Sequence, residues 1–322
     1  MSDGKPGRIA FITTPRFREA NGQAVAEFVH AHLYELCRSF DLITTARTYD
    51  FIVKLLESDL SDGARDAIQN GMGLTRLRDG DLATWRETIL ESLHRMPGSF
   101  PGMIEVAYEL VEQRLDAVIH FTDWEDKNAK PDSAVLSREA NVHDVPIAHG
   151  PHSAHALIRT LKRRLLSADG TGVFKRRDQP SPQPLHGLTP SDNVLAIVAH
   201  DNMKLEMCRF VVENVDHILE NYDCILATGT TGTWIRKFLL AMRRSSDVGK
   251  IRLCNSGPRG GDIQIAHAVV RGICRKIIFL QDPSVSHPHD SDIRLFEQAV
   301  LAPGIHVELA TNVESAKLLI GN

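Results

Sequence analysis

The stretch SGPRGGD, residues 256–262, lies between a short apolar run at 251–254 and a helix-like run at 263–270. A strand that ends in a glycine-rich turn and leads into a helix exposes backbone N–H groups, which the helix dipole directs at an anion. Asp262 ends this turn. For an isolated Asp after glycines, capping of the helix is the commoner role, and acid–base chemistry is the alternative. Similar polar loops follow the other predicted strands of this half, which favours the chemical role.

Composition indicates a globular protein of two ordinary domains. The chain has 322 residues, of which 43% are hydrophobic and 24% charged, with a formal net charge of −4. This balance gives no electrostatic reason to expect nucleic acid or membrane binding. The 5 cysteines are scattered without CxxC spacing, which favours reduced thiols over disulfides or a zinc site. Because neither a signal peptide nor a membrane-spanning run is recognisable, we expect a cytoplasmic protein.

Short apolar strands alternate with helix-like runs in both halves of the sequence, which predicts parallel sheets covered by helices on both faces. Between them, residues 168–192 are rich in proline and polar side chains, which is typical of a linker. The predicted domains are therefore residues 1–167 and 193–322. The predicted fold class is α/β, a tandem duplication of a doubly wound, mostly parallel domain with a five-stranded sheet.

The duplication is predicted from paired segments. Residues 8–14 parallel 194–200, and DAVIHFTD parallels RKIIFLQD, which places Asp123 against Asp282. RLRDGD at 76–81 is a possible counterpart of GPRGGD, which would place Asp81 against Asp262. Residues 46–50, ARTYD, take the place of TGTTG but lack glycine. We therefore expect the first half to be non-catalytic, either a scaffold or an effector-binding module.

In an open parallel sheet, ligands bind beyond the carboxyl ends of the strands. In the second half these ends carry four polar loops: His200-Asp201 with Lys204, TGTTG at 228–232, SGPRGGD, and residues 282–292. Hydroxyls, turn N–H groups and a lysine suit phosphate, and three acid–base candidates accompany them. TGTTG alone is equally explained as a tight turn with threonine caps. The four loops together predict one site.

On the motifs VAHDNMK, ATGTTG, SGPRGGD, DPxxxxPHDSD and ATN, residues 194–320 resemble the methylglyoxal synthases. The resemblance implies conversion of dihydroxyacetone phosphate to methylglyoxal and inorganic phosphate, without a metal or organic cofactor. It also implies that phosphate, as a product, inhibits the enzyme. Members of this family assemble from single domains, so we expect a homo-oligomer, specifically a trimer of two-domain chains.

The resemblance assigns a role to each matching position. Asp262 is the base that removes the C3 proton, His289 donates to the enediolate oxygen, and Asp292 completes this catalytic group. His200 contacts substrate, while Asp201 and Asp282 orient the other groups. The phosphate-binding positions are Lys204, Thr228, Gly229, Thr230, Thr231, Ser256 and Gly257.

Two alternatives stay open. Residues His287, His289, Asp290 and Asp292 offer imidazoles and carboxylates that suit zinc or iron, although prolines interrupt the spacing. The second alternative is a non-catalytic regulatory domain that binds a phosphorylated effector. A phosphate binder needs the threonine loop and Ser256, but it does not need Asp262, His289 and Asp292 together.

Overall fold

The structure is a computed structural model. It describes residues 7–97, 99–123, 130–166, 183–282, 284, 290–302 and 304–321. The chain divides into two compact units, Met1–Asp178 and Gln179–Asn322, which we call the first and second domains. The division falls inside the stretch predicted as a linker, of which residues 168–182 lie outside the described residues.

The first domain contains one parallel sheet with helices between its strands. The strands pair in the order β3-β2-β1-β4-β5. They are β1 Gly7–Thr13, β2 Phe40–Thr44, β3 Leu93–Arg95, β4 Ala117–Phe121 and β5 Ile147–His149. The helices are α1 Pro15–Phe28, α2 Tyr34–Ser39, α3 Ala46–Glu57, α4 Asp62–Met72, α5 Asp79–Ser92, α6 Ser99–Val111, α7 Lys130–Val142 and α8 Pro151–Leu166. A π-helical turn, Val29–Leu33, joins α1 to α2.

The second domain repeats this strand order with fewer helices. Its sheet, β10-β9-β6-β7-β8, is also fully parallel and has the first domain's order when it is read from the opposite edge. The strands are β6 Val194–Ala199, β7 Cys224–Ala227, β8 Ile251–Leu253, β9 Cys274–Leu280 and β10 Glu308–Ala310. The helices are α9 Lys204–Glu213, α10 Val215–Asn221, α11 Gly229–Ala241, α12 Gly261–Val270, α13 Asp290–Leu301 and α14 Val313–Ile320. The predicted α/β class with two five-stranded sheets is confirmed.

The strands lie in the interior because helices cover both faces of each sheet. Every residue of β4 and β6 is buried, as expected for near-continuous apolar strands of a parallel sheet. In the first domain, the rings of Phe11 and Phe28 pack against Phe121 with centroids 5.4 and 5.0 Å away. Burying each such ring contributes roughly 1.5–3 kcal/mol. In the described part of the chain, no helix has both the length and the apolar character needed to cross a membrane.

The five cysteines are all buried and free, in agreement with the predicted reduced thiols. Burial raises the pKa of Cys208 and Cys224 to about 11 and that of Cys274 to about 12. These three thiols therefore stay protonated near neutral pH and pack as small apolar groups.

Matching hydrogen bonds identify equivalent positions in the two domains. The Thr14 N–H donates to the Phe121 carbonyl at 2.9 Å, and the His200 N–H donates to the Leu280 carbonyl at 3.0 Å. Both bonds lie one residue beyond the first strand of each sheet. Thr14 is therefore the counterpart of His200. Asp123 is then the counterpart of Asp282, as predicted from the sequence, since each lies two residues after the strand that accepts the bond.

The predicted pairing of Asp81 with Asp262 is wrong. Asp81 lies in the first turn of α5, between β2 and β3, and its carboxylate accepts the Arg78 N–H at 2.8 Å. The counterpart of β8 is β3, and the loop after it begins with Met96. Gly102, in α6 after this loop, corresponds to Gly261, because a Cβ on either would meet the carbonyl oxygen of the second residue after the strand, 2.5 or 2.1 Å away. Met103 therefore stands at the position of Asp262.

The predicted pairing of residues 46–50 with TGTTG is displaced by one residue. Thr45 and Thr228 each immediately precede a helix that follows the second strand. Their hydroxyls contact those of Thr48 and Thr231 at 3.1 and 3.3 Å. The first domain thus has threonine at the first and last positions of the TGTT motif, Thr45 and Thr48. The pairing predicted from the sequence, which began at residue 46, missed this match.

Candidate active site

The carboxyl ends of β6, β7, β8 and β9 surround a cavity of about 360 Å³ in the second domain. This is the edge where parallel sheets bind ligands. The predicted site residues that line the cavity are His200, Asp201, Lys204, Thr228, Thr230, Ser256, Gly257 and Asp262. The lining also includes Val198, Ala199, Pro258 and Phe279, which the sequence analysis did not select.

Asp262 lies in the first turn of α12, and only 4% of its surface is exposed. Gly260 reverses the chain before the helix with a φ of 86°, a conformation that favours glycine. Gly261 lies so close to the Asn255 carbonyl oxygen that a Cβ would be 2.1 Å from it. The two glycines therefore bring the start of α12 against the strand end. The helix N-terminus stabilises the negative charge of the Asp262 carboxylate.

Gln264 holds the SGPRGGD loop in place, although the sequence analysis missed it. Its side chain is fully buried, and its Oε1 accepts the Asn255 N–H at 2.7 Å. The Asn255 side-chain amide in turn donates to the Arg259 carbonyl at 3.1 Å. The sequence offered one indication of this role: Gln264 is an amide within the apolar run 263–270. An amide that is buried there requires hydrogen-bond partners.

The TGTTG loop forms the start of α11. Thr228 and Thr230 line the cavity, and the Gly229 N–H donates to the Asn255 carbonyl at 2.9 Å. Thr231 is fully buried behind Thr228, whose hydroxyl donates to it at 3.3 Å. Within this loop, Thr228 and Thr230 therefore line the cavity, while Thr231 orients Thr228. The N–H groups of the first helical turn have no acceptor within the helix and suit an anion.

Lys204 supplies positive charge on the other side of the cavity. Its Nζ donates to the Asp201 carboxylate, which is itself mostly exposed. Only 15% of the lysine side chain is exposed, against 88% for the aspartate side chain. The aspartate thus holds the lysine at the cavity rim, where an entering anion would compete for the same ammonium group.

His200 presents a defined tautomer to the cavity. Its Nδ1 accepts the Asp282 N–H at 2.9 Å, so the proton of the neutral ring lies on Nε2. The ring packs against the edge of Phe279 with centroids 5.0 Å apart. The Asp282 carboxylate accepts hydrogen bonds from Ser284 and Asn202, which lower its pKa to about 2. Asp282 therefore remains ionised, and its N–H fixes the orientation of the His200 ring.

The last predicted loop is described only in part. His289 lies outside the described residues, and Asp292 lies in the first turn of α13, where only its backbone is described. The alternative metal site at His287, His289, Asp290 and Asp292 falls on these same residues. Elsewhere in the described chain, no cluster of three metal-binding side chains is present.

Comparison with known proteins finds methylglyoxal synthases among the related sequences. The methylglyoxal synthase of Thermus thermophilus is 39% identical over 127 residues, which is 39% of this chain and 90% of that protein. The methylglyoxal synthase of Clostridium perfringens is 36% identical over 40% of this chain and 98% of its own length. That of Borreliella afzelii is 35% identical over 39% of this chain and 90% of its own length. A crystal structure of methylglyoxal synthase from Elizabethkingia anophelis aligns with a TM-score of 0.34 and 27% identity, over 42% of this chain and 80% of that chain. No family model matches the chain.

Proposed function

Because the chain belongs to the methylglyoxal synthase family, we propose that its second domain converts dihydroxyacetone phosphate to methylglyoxal and inorganic phosphate. The observation that carries this proposal is the shared cavity of Asp262, Lys204, Thr228 and Ser256. A buried carboxylate and a set of phosphate donors face the same space, which a simple phosphate binder does not require. The cavity volume of about 360 Å³ suits a small phosphorylated substrate.

The phosphate group of the substrate would bind between the start of α11 and Lys204. Thr228 and Thr230 offer hydroxyls, and the first turn of α11 offers N–H groups. Ser256 and Gly257 offer further donors from the loop before α12. The Lys204 ammonium then exchanges the exposed Asp201 carboxylate for phosphate, a charge-assisted contact.

Asp262 would act as the base. Proton abstraction beside a carbonyl requires a base held in a fixed geometry and a donor placed for the developing oxyanion. Asp262 meets the first requirement, because the glycine turn and the Gln264–Asn255 bond fix its helix. His289 and Asp292 keep the roles that the family resemblance implies, and His200, which lines the cavity, carries the proton of its neutral ring on Nε2.

Elimination then follows from the enediolate. Removal of the C3 proton by Asp262 creates electron density that expels phosphate as the C1–O bond breaks. The resulting enol takes up a proton at C1 and becomes methylglyoxal, so no water or oxidant is consumed. Hydroxyl and backbone donors around the phosphate stabilise the leaving charge.

We also propose that the chain assembles with copies of itself. Leu205 of α9 and Trp234 and Phe238 of α11 are exposed by 59%, 39% and 38%, on two helices that pack together. An exposed apolar group of this kind favours an interface. Light scattering on the full chain is expected to give a trimer, and Phe238→Ser is expected to shift it towards monomer. A monomeric unaltered chain at micromolar concentration would contradict this assembly.

The decisive experiment is incubation of the full chain with dihydroxyacetone phosphate while methylglyoxal and phosphate are both measured. Equal release of the two products is expected, and it should persist when a chelator is present. Binding of substrate without product would favour the regulatory alternative. Loss of activity with chelator and recovery with zinc would favour the metal alternative.

A further inference from the structure

The carboxyl edge of the first domain carries two arginines at the positions of second-domain phosphate ligands. Thr14 corresponds to His200, so Arg18, four residues later, corresponds to Lys204. Thr45 corresponds to Thr228, so Arg47 corresponds to Thr230. Arginine at both positions gives this edge more positive charge than the second domain has, in groups that suit phosphate.

A network of buried threonines orients one of these arginines. The Thr48 hydroxyl accepts the Thr13 N–H at 3.1 Å and contacts the Thr45 hydroxyl at 3.1 Å. Arg18 Nη1 donates to the Thr13 hydroxyl at 2.8 Å and also to the Thr13 carbonyl. Thr13, Thr45 and Thr48 are all buried. The Arg18 guanidinium is therefore held at the strand edge, beside the N-terminus of α3.

The two guanidinium groups lie close enough to repel each other. Burial and then the charge of Arg47 lower the pKa of Arg18, while Glu19 opposes this to a smaller extent. Among the described residues, neither Arg18 nor Arg47 forms an ion pair with a carboxylate. The nearby carboxylate of Asp123 is instead paired with Arg16 at 3.0 Å. The edge therefore has positive charge that an anion would neutralise.

An independent observation comes from His120, which stands at the register position of Phe279. His120 pairs with Ile12 across β1, as Phe279 pairs with Val198 across β6, and the latter two line the second-domain cavity. The His120 ring is fully buried, and neither ring nitrogen has a hydrogen-bond partner among the described residues. Burial, and then His149, lower its pKa to about 3, so the ring is neutral. His120 is thus a buried imidazole without a partner in the described part of the chain, at the position whose second-domain equivalent lines a cavity, and such a group suits a polar ligand.

We propose that this edge of the first domain binds a phosphate-bearing small molecule without converting it, with Arg18 and Arg47 neutralising the phosphate and the first turn of α3 donating to it. Met103 takes the place of Asp262, so no carboxylate stands where the base of the second domain lies. The site would thus recognise a phosphomonoester or free phosphate and leave it intact. This binding goes beyond the proposed lyase activity and does not depend on it.

The test counts phosphate sites in the full chain by titration calorimetry with inorganic phosphate at fixed ionic strength. Two sites per chain are expected. Arg18→Met with Arg47→Thr should leave one site, and Lys204→Ala should weaken the other. Arg47→Thr alone, which copies the second-domain residue, should weaken the first-domain site by roughly tenfold or more. Arg18→Lys, which copies the second-domain residue and retains the charge, should lose less affinity than Arg18→Met.

Arg65→Thr on α4 serves as the matched control, since it removes an exposed first-domain arginine away from this edge. It should leave both sites unchanged. Thermal unfolding verifies that each variant is folded, and Arg47→Thr decides the matter if Arg18→Met unfolds. The proposal is overturned if the unaltered chain binds one phosphate that Lys204→Ala removes, or if the two-arginine variant keeps two sites. Turnover of dihydroxyacetone phosphate, measured separately, tests the second domain alone.

Discussion

The carboxyl edges of the two sheets share a backbone frame but carry different side chains. Both place a threonine before the helix that follows the second strand, and both donate an N–H from the residue after the first strand. Asp262 in one edge is replaced by Met103 in the other. The frame follows from strand pairing and helix starts, which tolerate many side chains. The proposed chemistry depends on a few positions on it.

The two edges also differ in their glycines. In the second domain, a Cβ on Gly232 would lie 2.4 Å from the Leu253 Cδ2, so α11 packs tightly against β8. The corresponding first-domain residue is Tyr49, which is half-buried and packs on the core. The tight packing that glycine allows between α11 and β8 therefore has no glycine counterpart in the first domain. The contact between the two threonine hydroxyls is present in both domains.

The largest expected effect comes from removing the proposed base. Asp262→Asn keeps the size of the side chain and removes its ability to accept a proton, so turnover should fall by at least about a hundredfold. Binding of a phosphorylated enediolate mimic should survive, because the phosphate donors are unchanged. Steady-state kinetics and calorimetry measure the two effects.

Asp81→Asn is the control for that variant. It alters a half-buried carboxylate in the first turn of α5, which sequence comparison alone would have paired with the base. Its turnover should match that of the unaltered chain. Near-normal turnover in Asp262→Asn would contradict the role of Asp262 as the base. A comparable loss in Asp81→Asn would contradict the expectation that the first domain is non-catalytic.

A smaller effect is expected from the phosphate donors of the second domain. Lys204→Ala should raise the KM for substrate and weaken inhibition by phosphate together, by about tenfold or more, since a charge-assisted contact contributes roughly 1.5–3 kcal/mol. Thr230→Val should have a lesser effect on both. Arg65→Thr, which removes an exposed first-domain arginine, should leave both quantities unchanged. Phosphate inhibition that is unaffected by Lys204→Ala would place the phosphate site elsewhere.

The smallest expected effect is on stability in acid. The pKa of His120 is about 3 in the folded state and near 6.5 in the unfolded state. Between these values the unfolded chain binds more protons, so the contribution of this group to stability is lost as pH falls from about 6.5. The loss is at most about 1.4 kcal/mol per pH unit. Lowered pKa values of His30, His32, His149 and His155 act in the same direction.

Hydrogen exchange measured on peptides from β1 and β4 between pH 6.5 and 4.5 checks this prediction, with β6 and β9 as the internal reference. Protection in the first domain should fall more steeply with acid after correction for intrinsic exchange rates. His120→Phe, which introduces the residue found at the equivalent second-domain position, should flatten the dependence. An equal slope in both proteins would exclude His120 as the responsible group.

The sequence alone predicted the α/β class, the two domains and the edge of the sheet at which the cavity lies. These depend on local patterns: short apolar runs form buried strands, and polar residues directly after them lie at the carboxyl edge. For this reason eight predicted residues line the cavity around Asp262. The parallel direction of the strands followed from the same alternation, because parallel strands require a crossover.

Only the tertiary structure decided which residues are equivalent and which side chains support the site. Asp81 and Asp262 look alike in sequence, but strand pairing places Asp81 before β3 and Met103 after it. Gln264 reaches Asn255 only when α12 folds back against the end of β8, and Arg18 approaches Arg47 only when β1 and β2 pair. These contacts join residues from different elements, and their geometry comes from packing and register, which a local sequence pattern does not encode.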